Sequence, residues 1–175
     1  VIVMVGEPGL SVVIAVLMLV AALASYGFAW YSWRRADHPI SDRFALLLAA
    51  DGSWALFSLL GHVSPTDELA LLFRFPFTTG AAVLAVVFWL LFVIEYTTDS
   101  EWIPSVAVRG FVILAVGYIA VLAVDPVGPL YTEVGVARFG YIRIPYGEFG
   151  AGALTYLLVT YAVLLFTFGL LGRFL

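Results

Sequence analysis

Long apolar runs separated by short polar segments recur along the whole chain. Each run is about 20 residues long, which is the length that a helix needs to cross a hydrocarbon core of about 30 Å. Segments rich in Pro, Ser, Thr and Asp lie between the runs, as is typical of breaks between helices. The pattern predicts a single all-α transmembrane domain over residues 1–175, a five-span helical bundle with spans at residues 8–33, 44–62, 69–96, 105–124 and 150–171.

The composition favours the same class of protein. Hydrophobic residues make up 63% of the 175 residues and charged residues 11%, and the mean hydropathy is +1.08. Soluble domains have about 25% charged residues. We expect a multi-pass protein of the cell membrane, with the lipid bilayer as its partner and no nucleic-acid partner.

Two residue types are absent, and each absence excludes chemistry. The chain has no cysteine, which rules out thiol catalysis and cysteine-bound metals. All eight basic residues are arginine, so no lysine is present to hold retinal as a Schiff base. The acidic pI of about 4.9, together with arginine in place of lysine, is typical of a protein from a halophile.

The arginines predict the orientation, because cytoplasmic loops carry an excess of basic residues. Arg34, Arg35 and Arg43 flank the first loop, Arg109 follows the third loop, and Arg173 follows the fifth span. The first and third loops are therefore expected inside and the N-terminus outside. Aromatic residues predict an interfacial belt at the same inner boundary: Trp30, Trp33, Tyr96 and Trp102.

The longest loop, residues 125–149, contains the stretch "VARFGYIRI". Large and β-branched residues alternate there around Phe139-Gly140, which predicts a short extracellular hairpin. The simpler interpretation is a lid that packs over the outer ends of the helices. The alternative is a ligand-access surface, with Tyr141 and Arg143 as candidate contacts.

No constellation of residues predicts an enzyme in this segment. His38 and His62 are scattered between opposite membrane faces, so they have no metal-ligand spacing and cannot clamp a haem. Neither Ser53 nor Ser58 has a histidine placed as a catalytic base. We expect no metal and no cofactor.

Charged residues inside the spans are the strongest functional candidates. Asp51 lies mid-span, where an ionised carboxylate costs about 2.5–3.5 kcal/mol, so it is expected to face the bundle interior. Trp54 shares its helical face, and Arg74 lies inside the third span next to Pro76, which is expected to kink the helix or leave a carbonyl unpaired. A direct or water-bridged Asp51–Arg74 pair is one hypothesis. The other has Arg74 reaching outward to Asp67 or Glu68 while Asp51 stays neutral.

Three short stretches resemble the N-terminal seven-transmembrane sensor region of archaeal and bacterial histidine kinases, and the resemblance together with the halophile-like composition implies an archaeal source. The family's tryptophan-alanine-leucine signature of the second span is matched by Trp54 to Leu56, and its glutamate-tyrosine exit from the third span by Phe88 to Thr97. Tyr146-Gly147 is similar to the family's approach to the fifth span. The glutamate-tyrosine match adds Glu95 and Tyr96 to the candidate sensing residues.

The resemblance implies a signal-input region that passes a conformational signal to a cytoplasmic output module. It also implies that the chain is the N-terminal part of a longer protein, with a kinase module in cis and the enzymatic activity there. A homodimer or a larger membrane complex is an open alternative for the assembly. Two other functions stay open, a transporter or channel component and a structural subunit of a membrane complex.

Overall fold

The computed structural model describes residues 3–4, 8–35, 39–97, 105–124 and 130–173. His38 and Trp102, which the sequence singled out, lie outside the described residues. The described part is mostly helical, with helices α1 (Pro8–Arg35), α2 (Pro39–His62), α3 (Asp67–Leu72), α4 (Gly80–Tyr96), α5 (Ser105–Val124) and α6 (Ala151–Leu171). Helix α2 begins five residues before the predicted span 44–62, because Pro39 is well tolerated in the first turn of a helix.

Four helical runs of the described residues are long and apolar enough to cross a membrane: Gly9–Arg34, Ile40–His62, Asp67–Tyr96 and Ala151–Leu171. The apolar part of α5, Val108–Val124, is shorter. Only 11% of the most apolar window of α1 is buried within the bundle, and leucines and valines cover its exposed face. A helix that presents apolar side chains outward is expected in lipid, where hydrocarbon is the solvent.

Helix α2 occupies the centre of the bundle and packs against both α1 and α4. A second packing layer joins α4, α5 and α6 through buried Val87, Phe111 and Tyr156, with Ala115 allowing close approach. Tyr118 and Tyr156 stack with their ring centroids 4.0 Å apart. Van der Waals packing of this kind holds helices together where lipid supplies no hydrophobic driving force between them.

A π-helical segment, Phe73–Thr79, connects α3 to α4 within one continuous helical run. Pro76 lies inside it and has no N–H to donate to the preceding turn, which is a known cause of helix distortion. The hydroxyl of Thr79 donates to the carbonyl oxygen of Arg74 at 2.9 Å and so satisfies one acceptor of the widened turn. The kink predicted at Pro76 therefore takes the form of a seven-residue π segment.

The long loop forms the predicted hairpin from strands β2 (Tyr131–Phe139) and β3 (Ile142–Phe149). Phe139 pairs with Ile142, which leaves Gly140 and Tyr141 as the two-residue turn. Gly140 has a φ of 57°, a left-handed conformation that favours glycine in tight hairpin turns. The side chains follow an irregular burial pattern because the strands lie across helix ends.

A short strand that the sequence did not predict joins this sheet. β1 (Val3–Met4) pairs in parallel with the end of β2. Ser11, which is 1% exposed, donates from its hydroxyl to the carbonyl oxygen of Phe139 at 3.2 Å. The start of α1 and the hairpin therefore lie at the same end of the bundle.

Candidate functional site

The hairpin is attached to the turn between α2 and α3 by Arg143. Its guanidinium donates from Nε to Oδ1 of Asp67 at 2.8 Å and to the carbonyl oxygens of Ser64 and Pro65. Only 19% of the Arg143 side chain is exposed. Charge-assisted bonds to three acceptors make this the main polar contact between hairpin and helices among the described residues. We call this set of contacts the Arg143 clamp.

A second arginine reaches the same carboxylate less closely. Nη2 of Arg138 lies 3.4 Å from Oδ1 of Asp67, and 52% of the Arg138 side chain is exposed. An exposed ion pair of this length contributes little to stability. The hairpin is also held by apolar contacts, since Phe75 and Tyr131 pack with centroids 4.8 Å apart.

Gly147 explains why the hairpin lies so close to the π segment. A Cβ atom at this position would come within 2.8 Å of the Tyr131 ring and 3.1 Å of the Phe75 ring, which is closer than real Cβ contacts. The Tyr146-Gly147 pair noted in the sequence is therefore a position where the strand must approach the helix closely.

Below the clamped hairpin lies a cavity of about 280 Å³ between α1, α2, the π segment and β3. Its lining combines apolar side chains with a small number of polar ones: Met18, Trp54, Phe57, Ser58, Gly61, His62, Arg74, Thr78, Ile144 and Pro145. Ile144 and Pro145 directly follow Arg143 in β3, so the Arg143 clamp positions the part of the hairpin that lines the cavity. We call this space the lidded cavity.

The structure brings together two of the sequence-predicted site residues, Trp54 and Arg74, in the wall of the lidded cavity. They are 20 positions apart in the chain but meet because the α2–α3 turn reverses the direction of the chain. Gly61 lies beside this segment, but a Cβ there would lie 3.5 Å from Cβ of Phe73 and 4.0 Å from the backbone nitrogen of Arg74, which are ordinary van der Waals distances, so the close approach does not require a glycine.

The polar groups of the lidded cavity are mostly unpaired within the described part of the chain. No hydrogen bond or ion pair joins the Arg74 guanidinium or the Trp54 indole to another described residue. Thr78 is 1% exposed, and its buried hydroxyl has no hydrogen-bond partner. By contrast, Nδ1 of His62 is bonded to the carbonyl oxygen of Ser58. Arg74 and Trp54 are exposed, so the Thr78 hydroxyl is the one group among these three that is buried without a partner, which is uncommon in folded proteins and calls for an explanation.

Asp51 lies one helical turn before Trp54 and is half-buried, outside the wall of the lidded cavity. Among the described residues it forms no ion pair or hydrogen bond, and no direct pair with Arg74 is present. Arg74 forms no ion pair with Asp67 or Glu68 in the described part of the chain, and the carboxylate of Asp67 is instead bonded to the two hairpin arginines. The intramembrane position of Asp51 suggested the further hypothesis that Asp51 is the polar switch of the sensor core, with Trp54 and Arg74 as its neighbours, and this role remains a prediction.

Glu95 and Tyr96 lie at the other end of the bundle. Oε2 of Glu95 forms an ion pair with Nε of Arg43 at 3.2 Å, which joins the start of α2 to the end of α4. Phe44 and Phe92 pack beside this pair with centroids 5.5 Å apart. Tyr96 is 52% exposed and stacks on Phe92. These residues form a second contact region, separate from the lidded cavity.

Tyr141 is 78% exposed at the hairpin turn and does not reach the lidded cavity. A larger cavity of about 580 Å³ lies between α1 and α2. Apart from Asp42, its lining is apolar and aromatic, with Trp30 and Trp33 among its residues. No group of three or more His, Asp or Glu residues is placed to hold a metal ion in the described ranges.

Sequence reasoning missed the partners of Arg143 and the hydroxyl of Thr78. The clamp acceptors at Ser64 and Pro65 are backbone carbonyls, which carry no sequence signal. One signal was available for Asp67: Thr66 caps α3, accepting the backbone N–H of Leu69 at 3.3 Å. A capped helix start following "SP" places the carboxylate of Asp67 at the bundle end, within reach of a hairpin arginine.

Comparison with known proteins gives one finding. A family model described as the N-terminal 7TM region of histidine kinase matches residues 17–175. The match includes α2, the π segment, the hairpin and α6, and therefore both contact regions described above. No curated protein and no solved structure matches the chain.

Proposed function

We propose that this chain is a membrane signal-input region, because it belongs to the family described as the N-terminal 7TM region of histidine kinase. The match over residues 17–175 carries the proposal. In such a region a stimulus shifts the population of two conformations, and the output module reads the shift. The input region itself performs no chemistry, so we assign phosphoryl transfer to a kinase module in cis.

The proposed arrangement in the membrane has five spans with the N-terminus and hairpin outside. Two observations support it. β1 and Ser11 contact the hairpin, which agrees with four crossings between the N-terminus and the hairpin. The opposite end of the bundle carries Arg34 and Arg43, as the positive-inside rule expects for the cytoplasmic side. In this arrangement α5 is the fourth span despite its shorter apolar part.

Helix α2 is the element that we propose carries the signal across the membrane. Its C-terminal half lines the lidded cavity through Trp54 and His62, and its N-terminal turn forms the Arg43–Glu95 ion pair. The helix has 24 residues and so is about 36 Å long, at about 1.5 Å per residue. A shift of α2 against α4 would therefore change the lidded cavity and the Arg43–Glu95 pair together.

The test is phosphorylation by the full-length product that carries this chain, reconstituted in lipid nanodiscs with ATP. We expect autophosphorylation on histidine, and a rate that changes about fivefold or more when Arg143→Ala loosens the hairpin, as is usual for coupled sites. Arg138→Ala, which removes only a long and exposed contact, is the matched control. Two results would contradict the proposal: a full-length protein that does not autophosphorylate, and equal rates of autophosphorylation in Arg143→Ala and Arg138→Ala.

A further inference from the structure

The lidded cavity has the features of a binding site for a small organic anion. We propose that it binds a monocarboxylate with a short apolar body, whose carboxylate is held by Arg74, Thr78 and Trp54. This inference deepens the proposed function by naming the class of ligand that would act as stimulus, and it rests on that function for its physiological meaning. The binding itself does not depend on a kinase module.

The polar side chains of the cavity favour a ligand with a negative charge. Arg74 contributes a full positive charge that no described carboxylate neutralises, and it lies inside a run long enough to span the membrane. An ionisable residue at such a position is usually paired or functional. Thr78 is almost fully buried with an unpartnered hydroxyl, and the Trp54 indole can only donate. All three are hydrogen-bond donors in the wall of one cavity, and in our proposal they donate to one anionic group.

The charge and shape of the donors favour a carboxylate. The planar guanidinium of Arg74 matches two carboxylate oxygens side by side. Arg74 is the single permanently charged residue in the wall of the cavity among the described residues, so a dianionic phosphate would keep an uncompensated charge. His62 is already bonded through Nδ1 to the Ser58 carbonyl oxygen, so its ring offers only Nε2 to a ligand.

The remaining walls of the cavity limit the polarity and the size of the rest of the ligand. Met18, Phe57, Ile144 and Pro145 contribute apolar surface. The volume of about 280 Å³ corresponds to about ten non-hydrogen atoms, taking about 30 Å³ for a water molecule as the unit. The cavity is therefore near the small end of ligand sites. It fits a short aliphatic acid of the size of hexanoate, or the carboxylate end of a fatty acid.

The π segment explains how ligand binding would change the position of α2. Arg74 and Thr78 both lie in this segment, and π-bulges are frequently found at functional sites. A carboxylate that bonds both side chains would link the π segment to Trp54 of α2. The ligand would thus favour one position of α2 relative to the Asp67–Tyr96 run, which is the shift that the proposed function requires.

The experiment uses the 175-residue chain, labelled with 5-fluorotryptophan, in nanodiscs of zwitterionic lipid. The ¹⁹F resonance of Trp54 is assigned with Trp54→Phe and followed during titration with hexanoate. Hexanamide, the neutral analogue of the same size, is the ligand control. A second arm incorporates oleate into the nanodisc lipid, which separates a carboxylate from the bilayer from one dissolved in water.

We expect a saturable shift of the Trp54 resonance with hexanoate or oleate and none with hexanamide. Arg74→Gln should weaken binding at least tenfold, because it removes the charge-assisted bonds, and Thr78→Val should weaken it several-fold. Arg109→Gln, which removes an exposed arginine of α5 away from the cavity, should leave binding unchanged. The other tryptophan resonances report whether each variant is folded.

Three results would overturn the inference. They are no saturable shift with either acid, equal binding of hexanamide, and unchanged affinity in folded Arg74→Gln or Thr78→Val. A chain that binds hexanoate while the full-length product shows no regulated phosphorylation would instead sink the proposed function and leave the site intact.

Discussion

Removing the Arg143 clamp should release the hairpin from the helices without unfolding the bundle. Arg143→Ala deletes the bonds to Asp67 Oδ1 and to the carbonyl oxygens of Ser64 and Pro65. The apolar packing of Phe75 on Tyr131 still stabilises the closed position of the hairpin, so release is a more frequent opening rather than a permanent one, and the helix–helix contacts remain throughout. An isolated two-stranded hairpin is at best marginally stable in water, so a released hairpin should also lose its own backbone hydrogen bonds.

The size of the effect follows from the burial of the clamp. A hydrogen bond to a charged group contributes about 1.5–3 kcal/mol, and Arg143 is 19% exposed. The freed carbonyl oxygens and Asp67 are near water and regain part of that energy. We expect a net loss of about 2–3 kcal/mol, which raises the open population of the hairpin about 30- to 150-fold.

Hydrogen–deuterium exchange by mass spectrometry, with the chain in nanodiscs, measures this opening over residues 131–149. Arg143→Lys keeps the charge but loses the planar fork, so its exchange should be intermediate. Arg138→Ala removes a 3.4 Å contact from a side chain that is 52% exposed, and should accelerate exchange at most about fivefold. Equal acceleration in Arg143→Ala and Arg138→Ala would refute the role of Arg143.

Three further predictions test the membrane arrangement and the output. Asp51→Asn should alter phosphorylation by the full-length product while membrane insertion stays normal; unchanged phosphorylation would end its proposed role as a switch. Single cysteines at Asp42 and Tyr141, in a chain that has no native cysteine, should react with an impermeant maleimide from opposite sides of the membrane. Reaction from one side only would contradict the topology. The 175-residue chain alone should show no ATP-dependent autophosphorylation, and a measurable rate would contradict its assignment as an input region.

The helices and the hairpin were predictable from the sequence because their signals are local. Apolar runs of membrane length identify helices whatever their neighbours are. Alternating residues around Gly140 identify the hairpin, since the tight turn needs a left-handed residue. The π segment was only partly predictable: Pro76 indicates a distortion, but its spread over Phe73–Thr79 depends on how Phe75 and Thr78 pack.

The candidate site was less predictable because its contacts join distant parts of the chain. The sequence singled out Trp54 for its indole N–H donor and Arg74 for its charge inside a span, and both residues line one cavity. Asp51 stood out for the same reason but lies outside it, since one turn along a helix is enough to change the neighbours. The acceptors of Arg143 at Ser64 and Pro65 are backbone atoms, so sequence reasoning had no means of choosing them.

The central claim, that α2 carries a conformational signal to an output module by shifting against α4, can be tested with a charge swap at the Arg43–Glu95 pair. Autophosphorylation of the full-length product is measured for Arg43→Glu, Glu95→Arg and the double variant. The pair is partly exposed and contributes about 0.2–1 kcal/mol, so each single variant should change the rate by up to about fivefold. The double variant should restore the original rate. Changes that simply add in the double variant, or no change in any of the three, would contradict the account.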